Sequence, residues 1–201
     1  MVELTIDQAL KQAVEAHKAG AVQDADRIYT AILKVQPKHP DANHNMGMLA
    51  VSINKVEAAL PFFKTALEAN LSVAQFWYSY ISALITLGRF HDAKVLLAQA
   101  TAKGAKGSAF VDLNKQIGAL EGLFQSEIQR SKKFFEQGKF QEVIDTLQSL
   151  VKTIPNLVDP YIICGSAYDV LKNYDLAIKS YKRAIKIRPD YAEAYNSMGI
   201  S

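Results

Sequence analysis

The sequence predicts an all-α protein, a solenoid of antiparallel helix pairs, and three observations carry that prediction. Ala, Leu, Lys, Glu and Gln are plentiful, while glycine and proline fall at junctions between periodic segments. Small and apolar residues recur at helical spacing in short blocks. Those blocks then repeat at a fixed interval of 34 residues, as Tyr161 to Tyr195 and Pro155 to Pro189 illustrate. At 201 residues the chain is long enough to bury a sizeable core.

The clearest block runs from Tyr161 to Pro189, where Tyr161, Gly165, Tyr168, Ala177, Tyr181, Ala184 and Pro189 mark two helices around a loop at Lys172–Asn173. In a hairpin, the small residues let the helices approach and the aromatics fill the remaining volume. Earlier in the chain the layout recurs as Gly20, Ala25, Tyr29, Ile32 and Pro37, then as Gly47, Asn54, Ala59, Phe63, Ala66 and Leu71. It continues as Trp77, Gly88, Ala93, Leu97 and Ala100, and as Phe134, Gly138, Val143, Leu147, Leu150 and Pro155. Five full copies read as 6–39, 40–73, 74–107, 124–157 and 158–191, and a further copy begins at Ala192.

This spacing resembles the tetratricopeptide-repeat family over nearly the whole chain, missing only 1–5 and 108–123. Tyr161 stands where that family often has Trp, Cys164 where it has Leu, and Tyr181 where it has Phe. The resemblance implies a right-handed superhelix in which the first helices of successive repeats line a concave groove.

Helix starts are signposted locally. Thr5 with Gln8, Ser72 with Gln75, Ser126 with Gln129 and Asp190 with Glu193 have capping-box spacing. Asp159 before Pro160 reads as an N-cap with proline at the first helical position, and His39–Pro40 as a second instance. Gly20, Gly88 and Gly138 sit at the turns between paired helices, where a left-handed residue is needed. The register slips between Lys106 and Phe124. Phe110, Leu113, Ile117, Leu120 and Phe124 keep helical spacing there, which predicts an extra helix at about 108–121. Gly118 and Gly122 weaken it, and Ser126 marks a new start; a single helix over 108–137 is the alternative. The expected organisation is therefore an N-terminal block, 1–121, and a C-terminal block, 122–201, the second ending in a truncated repeat at 192–201. That unfinished repeat carries core-type Tyr195 and Met198, so a longer natural protein and a weak homodimer through this helix are expected.

Charge and motifs narrow the function. The net charge is only +3; residues 1–123 carry 12 Lys/Arg against 11 Asp/Glu, and 124–201 carry 11 against 9. Neither nucleic acid nor an anionic membrane is required as partner. The lone Cys164 fits a reducing compartment, the N-terminus lacks a signal-peptide pattern, and a cytoplasmic location is expected. There is no phosphate-binding glycine loop, the segment Gly104–Ser108 reading as a helix end. His17, His39, His44 and His91 lack metal-ligand spacing, so no catalytic residue, metal or cofactor is expected. Cys164 reads as a small buried hydrophobe. Asn70-Leu71-Ser72 matches a glycosylation acceptor, but Ser72 already reads as a cap. Lys179, Lys182, Arg183, Lys186 and Arg188 give a basic second helix, read as a solvated face or a patch for an acidic partner.

A binding surface remains. By family resemblance the groove positions carry Leu10, Val14 and His17, then His44, Asn45, Met48 and Val51, then Gln75, Tyr78, Ser79 and Ser82. The fourth copy supplies Ile128, Gln129, Lys132 and Phe135, and the fifth Ile162, Ile163, Ser166 and Asp169. Asn45 matches an asparagine that many members use to hold a peptide backbone. The family's carboxylate clamp for chaperone tails is not met: Leu10, Val14, Gln75 and Ser79 stand where it needs other groups, cations among them. The reading favoured is a non-catalytic protein–protein interaction scaffold that binds a peptide or partner helix. The alternative is a substrate-recognition arm of a larger enzyme, because the copy from Asp159 onward resembles repeats preceding bacterial glycosyltransferase or sulfotransferase domains.

Overall fold

The computed structural model describes residues 4–189 and 191–200. Eleven α-helices appear among them: α1 Ile6–Lys18, α2 Val22–Val35, α3 Pro40–Ser52, α4 Val56–Ala69, α5 Ala74–Thr86, α6 Phe90–Ala102, α7 Ser108–Glu136, α8 Phe140–Thr153, α9 Asp159–Val170, α10 Tyr174–Ile187 and α11 Ala192–Ile200. The chain divides into two compact units, Met1–Lys115 and Gln116–Ser201. Each unit is built from antiparallel helix pairs. In the first, α1·α2, α3·α4 and α5·α6 form the pairs, with α2·α3 and α4·α5 joining them; in the second, α9 meets both α8 and α10, and α10 meets α11. No described helix is long and apolar enough to cross a membrane.

Size matching across each pair explains why the same backbone recurs. Gly47 lies so close to the Phe63 ring that an added Cβ would fall 2.6 Å from its Cε1. Gly165 meets the ring of Tyr181 in the same way. In the first pair the corresponding residues are Ala13 and Tyr29, both fully buried in one apolar cluster with Ala25, Met46 and Leu49. The third pair has Ile81 and the aliphatic Leu97 at these places, and the fourth has Ser131 and Leu147. A ring on the second helix goes with Gly or Ala on the first, whereas a Leu goes with a larger residue there. Total volume is held while its division changes.

The turns are equally uniform. Residues with positive φ close the first helix of every pair: Gly20 at 76°, Asn54 at 59°, Gly88 at 72°, Gly138 at 71° and Lys172 at 57°. The next residue's N–H reaches back five positions, as in Lys55 to Ala50 at 2.8 Å and Asn173 to Tyr168 at 2.9 Å. This Schellman geometry closes off helix carbonyls that would otherwise lack partners. A second device joins successive pairs. Asn43 Nδ2 donates to Pro37 O at 2.9 Å, Trp77 Nε1 to Leu71 O at 2.8 Å, and Tyr161 Oη to Pro155 O at 3.2 Å. An amide, an indole and a phenol thus do one job, each reaching a carbonyl six residues back in the preceding loop.

Several expectations about helix starts change. The Thr5–Gln8 capping box forms with both bonds, and His39 Nδ1 caps Ala42 N at 3.2 Å. Ser72 instead donates to Asn70 Oδ1 in a turn, and Val73 caps α5 without a side-chain bond. Asp159 is the first residue of α9, not its cap; Val158 takes that place. Ser126 lies inside α7, which runs unbroken from Ser108 to Glu136, so the break expected near 121 does not occur. Gly118 and Gly122 are exposed with nothing near their Cβ positions, and the helix carries them at the cost of propensity alone. The Asp190–Glu193 cap lies outside the described residues.

Candidate functional site

Within the first unit the helices α1, α3 and α5 touch in sequence and form a layer of first helices. On this layer His44, Asn45, Met48 and Val51 from α3 are half-buried, as are Leu10, Val14 and His17 from α1. From α5, Tyr78 is 37% exposed while its neighbour Trp77 is 3% exposed. The indole of Trp77 is turned inward to its loop carbonyl, which leaves Tyr78 facing out. Gln75 is also exposed and Ser82 half-buried.

A polar link ties α3 to α5 beneath that surface. Gln75 Nε2 donates to Ser79 Oγ at 3.2 Å, and the same hydroxyl is hydrogen-bonded to His44 Nε2 at 2.9 Å. The imidazole also stacks on Phe76, with centroids 4.9 Å apart, and approaches Phe63 at 5.8 Å. Burial pushes the His44 imidazole below its ordinary pKa, against the opposing effects of a side-chain bond with Asn45 and the Asp41 carboxylate. Burial thus favours the neutral ring over the charged one. Ser79, only 6% exposed, serves this link and is closed to a partner.

In the second unit the expected groove residues separate into two sets. Gln129 and Lys132 are exposed on α7, and Phe135 is half-buried in a T-shaped contact with Phe140, ring centroids 5.1 Å apart. Ile128 and Ile162 are each 7% exposed, so both belong to the core. Ile162 sits in the cluster with Ala177, Tyr181 and Ala184. Ser166 and Asp169 are half-buried and engaged by a core phenol: Tyr181 Oη donates to Asp169 Oδ2 at 2.7 Å and lies 3.4 Å from Ser166 Oγ. Their role is to hold a buried phenol. Cys164 is buried, and its surroundings push the thiol up to about 12, so it is no nucleophile at neutral pH. Among the described residues no group of three or more His, Cys, Asp or Glu is arranged to hold a metal ion.

Two family models match the chain: one described as "Tetratricopeptide repeat" over residues 44–109, the other as "TPR repeat" over residues 171–201. Over these two segments the chain is built of tetratricopeptide repeats. No curated protein matches it. Among solved structures, the TPR domain of P58(IPK) shares 14% identity with a TM-score of 0.63; the match covers 97% of this chain and 64% of that one. A tetratricopeptide repeat protein from Parabacteroides merdae shares 17% identity at a TM-score of 0.51, covering 97% and 83% of the two chains. The TPR2AB domain of yeast Sti1, in a complex with pHSP90, shares 14% identity at 0.50, covering 97% and 82%. At these identities the likeness is one of fold.

For this tetratricopeptide-repeat chain, sequence reasoning missed the donors Asn43 and Tyr161 as links between repeats, although their six-residue distance from Pro37 and Pro155 was available as a signal. It also missed the His44–Ser79 link. The two residues lie 35 positions apart, one repeat plus one residue, and only the stacking of α3 on α5 joins them.

Proposed function

We propose that this chain is a non-catalytic interaction scaffold whose first-helix face in the N-terminal unit binds a peptide or a partner helix. The observation that carries the reading is Tyr78: a large amphipathic side chain, 37% exposed on α5, the helix that contacts the α3 carrying half-buried Asn45 and Met48. A rigid aromatic with a polar tip is the kind of side chain that anchors an interface. Asn45 adds a group that both donates to and accepts from a peptide backbone. The hydrogen-bonded order of exposed Gln75, half-buried His44 and buried Ser79 lowers the entropy lost on binding. Gln129, Lys132 and Phe135 offer a further stretch of the same kind on the second unit.

The fold likeness to a Sti1 domain in a pHSP90 complex does not extend to a carboxylate-tail ligand. Leu10, Val14, Gln75 and Ser79 occupy positions of that clamp, and none is a cation. An internal segment with amide and apolar character suits this surface better. A lone cysteine, which can form no internal disulfide, suits a reducing, cytoplasmic setting.

The test is selection of peptides from a random library on the whole chain, followed by affinity measurement. Tyr78→Ala should weaken the selected peptide by more than about 1 kcal/mol with unchanged helicity. Retained affinity in that variant would refute the assignment.

A further inference from the structure

The C-terminal unit carries a cleft on the opposite kind of surface, between the second helices α8 and α10 and above the outer side of α9. Its volume is about 480 Å³, within the range of small-ligand and side-chain pockets. Cys164, Tyr161, Tyr168 and Val151 form an apolar floor, and Leu176, 37% exposed, forms one wall. The phenol of Tyr168 accepts from Gln148 Nε2 at 3.0 Å, and that of Tyr161 is spent on Pro155 O, so both rings are fixed.

The rim is cationic. Lys179, Lys182, Arg183 and Lys186 all line the cleft, and no lining residue is acidic. Their spacing of three, one and three residues puts them on one face of α10, over a length of about 10 Å. Among the described residues none of the four takes part in a salt bridge; Arg183 lies over the Tyr161 ring at 5.8 Å. Asp145 of α8 accepts from Gln141 at 2.9 Å; it lies outside the lining but near enough to Tyr168 for its charge to act on that phenol. Four cations side by side on one helix face repel one another, and an anionic partner relieves that repulsion.

We propose that this cleft is a second binding site, for an acidic peptide segment that places one aromatic or long aliphatic side chain on the Tyr161–Cys164–Tyr168 floor. The apolar floor gives a reason to prefer this ligand over a purely electrostatic one. A polyanion satisfies the rim and leaves the floor wet, whereas an anchor side chain fills it. A nucleic acid or membrane surface uses an extended basic track, while here the four cations span only about 10 Å of one helix beside an apolar cleft, and the whole chain is only +3.

Fluorescence anisotropy on the whole chain tests this with a labelled decapeptide of glutamates carrying one central Trp. That peptide should bind at least about tenfold tighter than an all-glutamate decapeptide, since a buried aromatic anchor commonly supplies that much. The double variant Lys182→Glu/Lys186→Glu should lose about tenfold or more, and binding should weaken with salt. A control with the same change in net charge, Lys133→Glu/Lys152→Glu, should change affinity less than about twofold. Equal binding of the two peptides, equal losses in the two double variants, or no binding would overturn the proposal. So would tighter binding to phosphatidylserine vesicles or to a single-stranded oligonucleotide than to the Trp peptide.

Discussion

At the scale of single residues, two tyrosines at the same repeat position report what a buried hydroxyl is worth. Tyr181 is 1% exposed and donates to Asp169 at 2.7 Å. Tyr29 is fully buried, its hydroxyl has no hydrogen-bond partner among the described residues, and its pKa is raised to about 12 by burial. Removing an unsatisfied hydroxyl relieves a desolvation cost, whereas removing a donor strands its acceptor. Tyr181→Phe should therefore cost about 1–2 kcal/mol and Tyr29→Phe should be neutral or stabilising, as read from denaturant midpoints. His44 gives a prediction in pH. Its pKa is lower in the folded chain, so below the ordinary histidine value the unfolded state binds the extra proton first. Its contribution is whole above about pH 6.5 and declines as the pH falls through the lowered native value. Denaturant midpoints measured from pH 7.5 to 5 should fall less steeply in His44→Gln than in the unaltered chain; identical slopes would refute the linkage.

At the scale of elements, the repeated turn and the long helix make separate predictions. Lys172 holds a φ of 57°, which costs a side chain with Cβ about 1–2 kcal/mol. Lys172→Gly should recover part of this and raise the thermal midpoint, while Gly138→Ala, at 71°, should lower it by a comparable amount. In α7, Gly118→Ala and Gly122→Ala should each stabilise by about 0.5–1 kcal/mol, because both positions are helical, exposed and free of contacts. The helix pairs themselves were legible in the sequence, because Ala177, Tyr181 and Ala184 and their counterparts keep one spacing in every copy. The continuity of α7 was not. A Ser-x-x-Gln spacing such as Ser126–Gln129 fits a cap and a helix interior equally well, and exposed glycines are tolerated in both. The burial of Ser79, Ile128 and Ile162 was hidden for a different reason: it depends on neighbouring helices, which a position within one repeat does not report.

At the scale of the whole molecule, the chain is a sequence of near-equivalent pairs in which stability is shared. Small residues at the pair contacts should be intolerant of growth everywhere. Ala177→Leu or Ala184→Leu, both at fully buried positions, should cost about 1–3 kcal/mol, whereas exposed Lys179→Ala should leave stability nearly unchanged. The partner face, by contrast, should be confined to a few side chains on the first helices, because half-buried Asn45 and Met48 of α3 and Tyr78 and Ser82 of α5 lie on helices in contact with one another. The most direct measurement is an NMR titration of the whole labelled chain with a peptide selected on it. The predicted result is that the largest shift changes fall on the amides and side chains of α3 and α5 around Asn45 and Tyr78. Changes concentrated instead on the second helices α4 and α6, with α3 and α5 silent, would contradict the account.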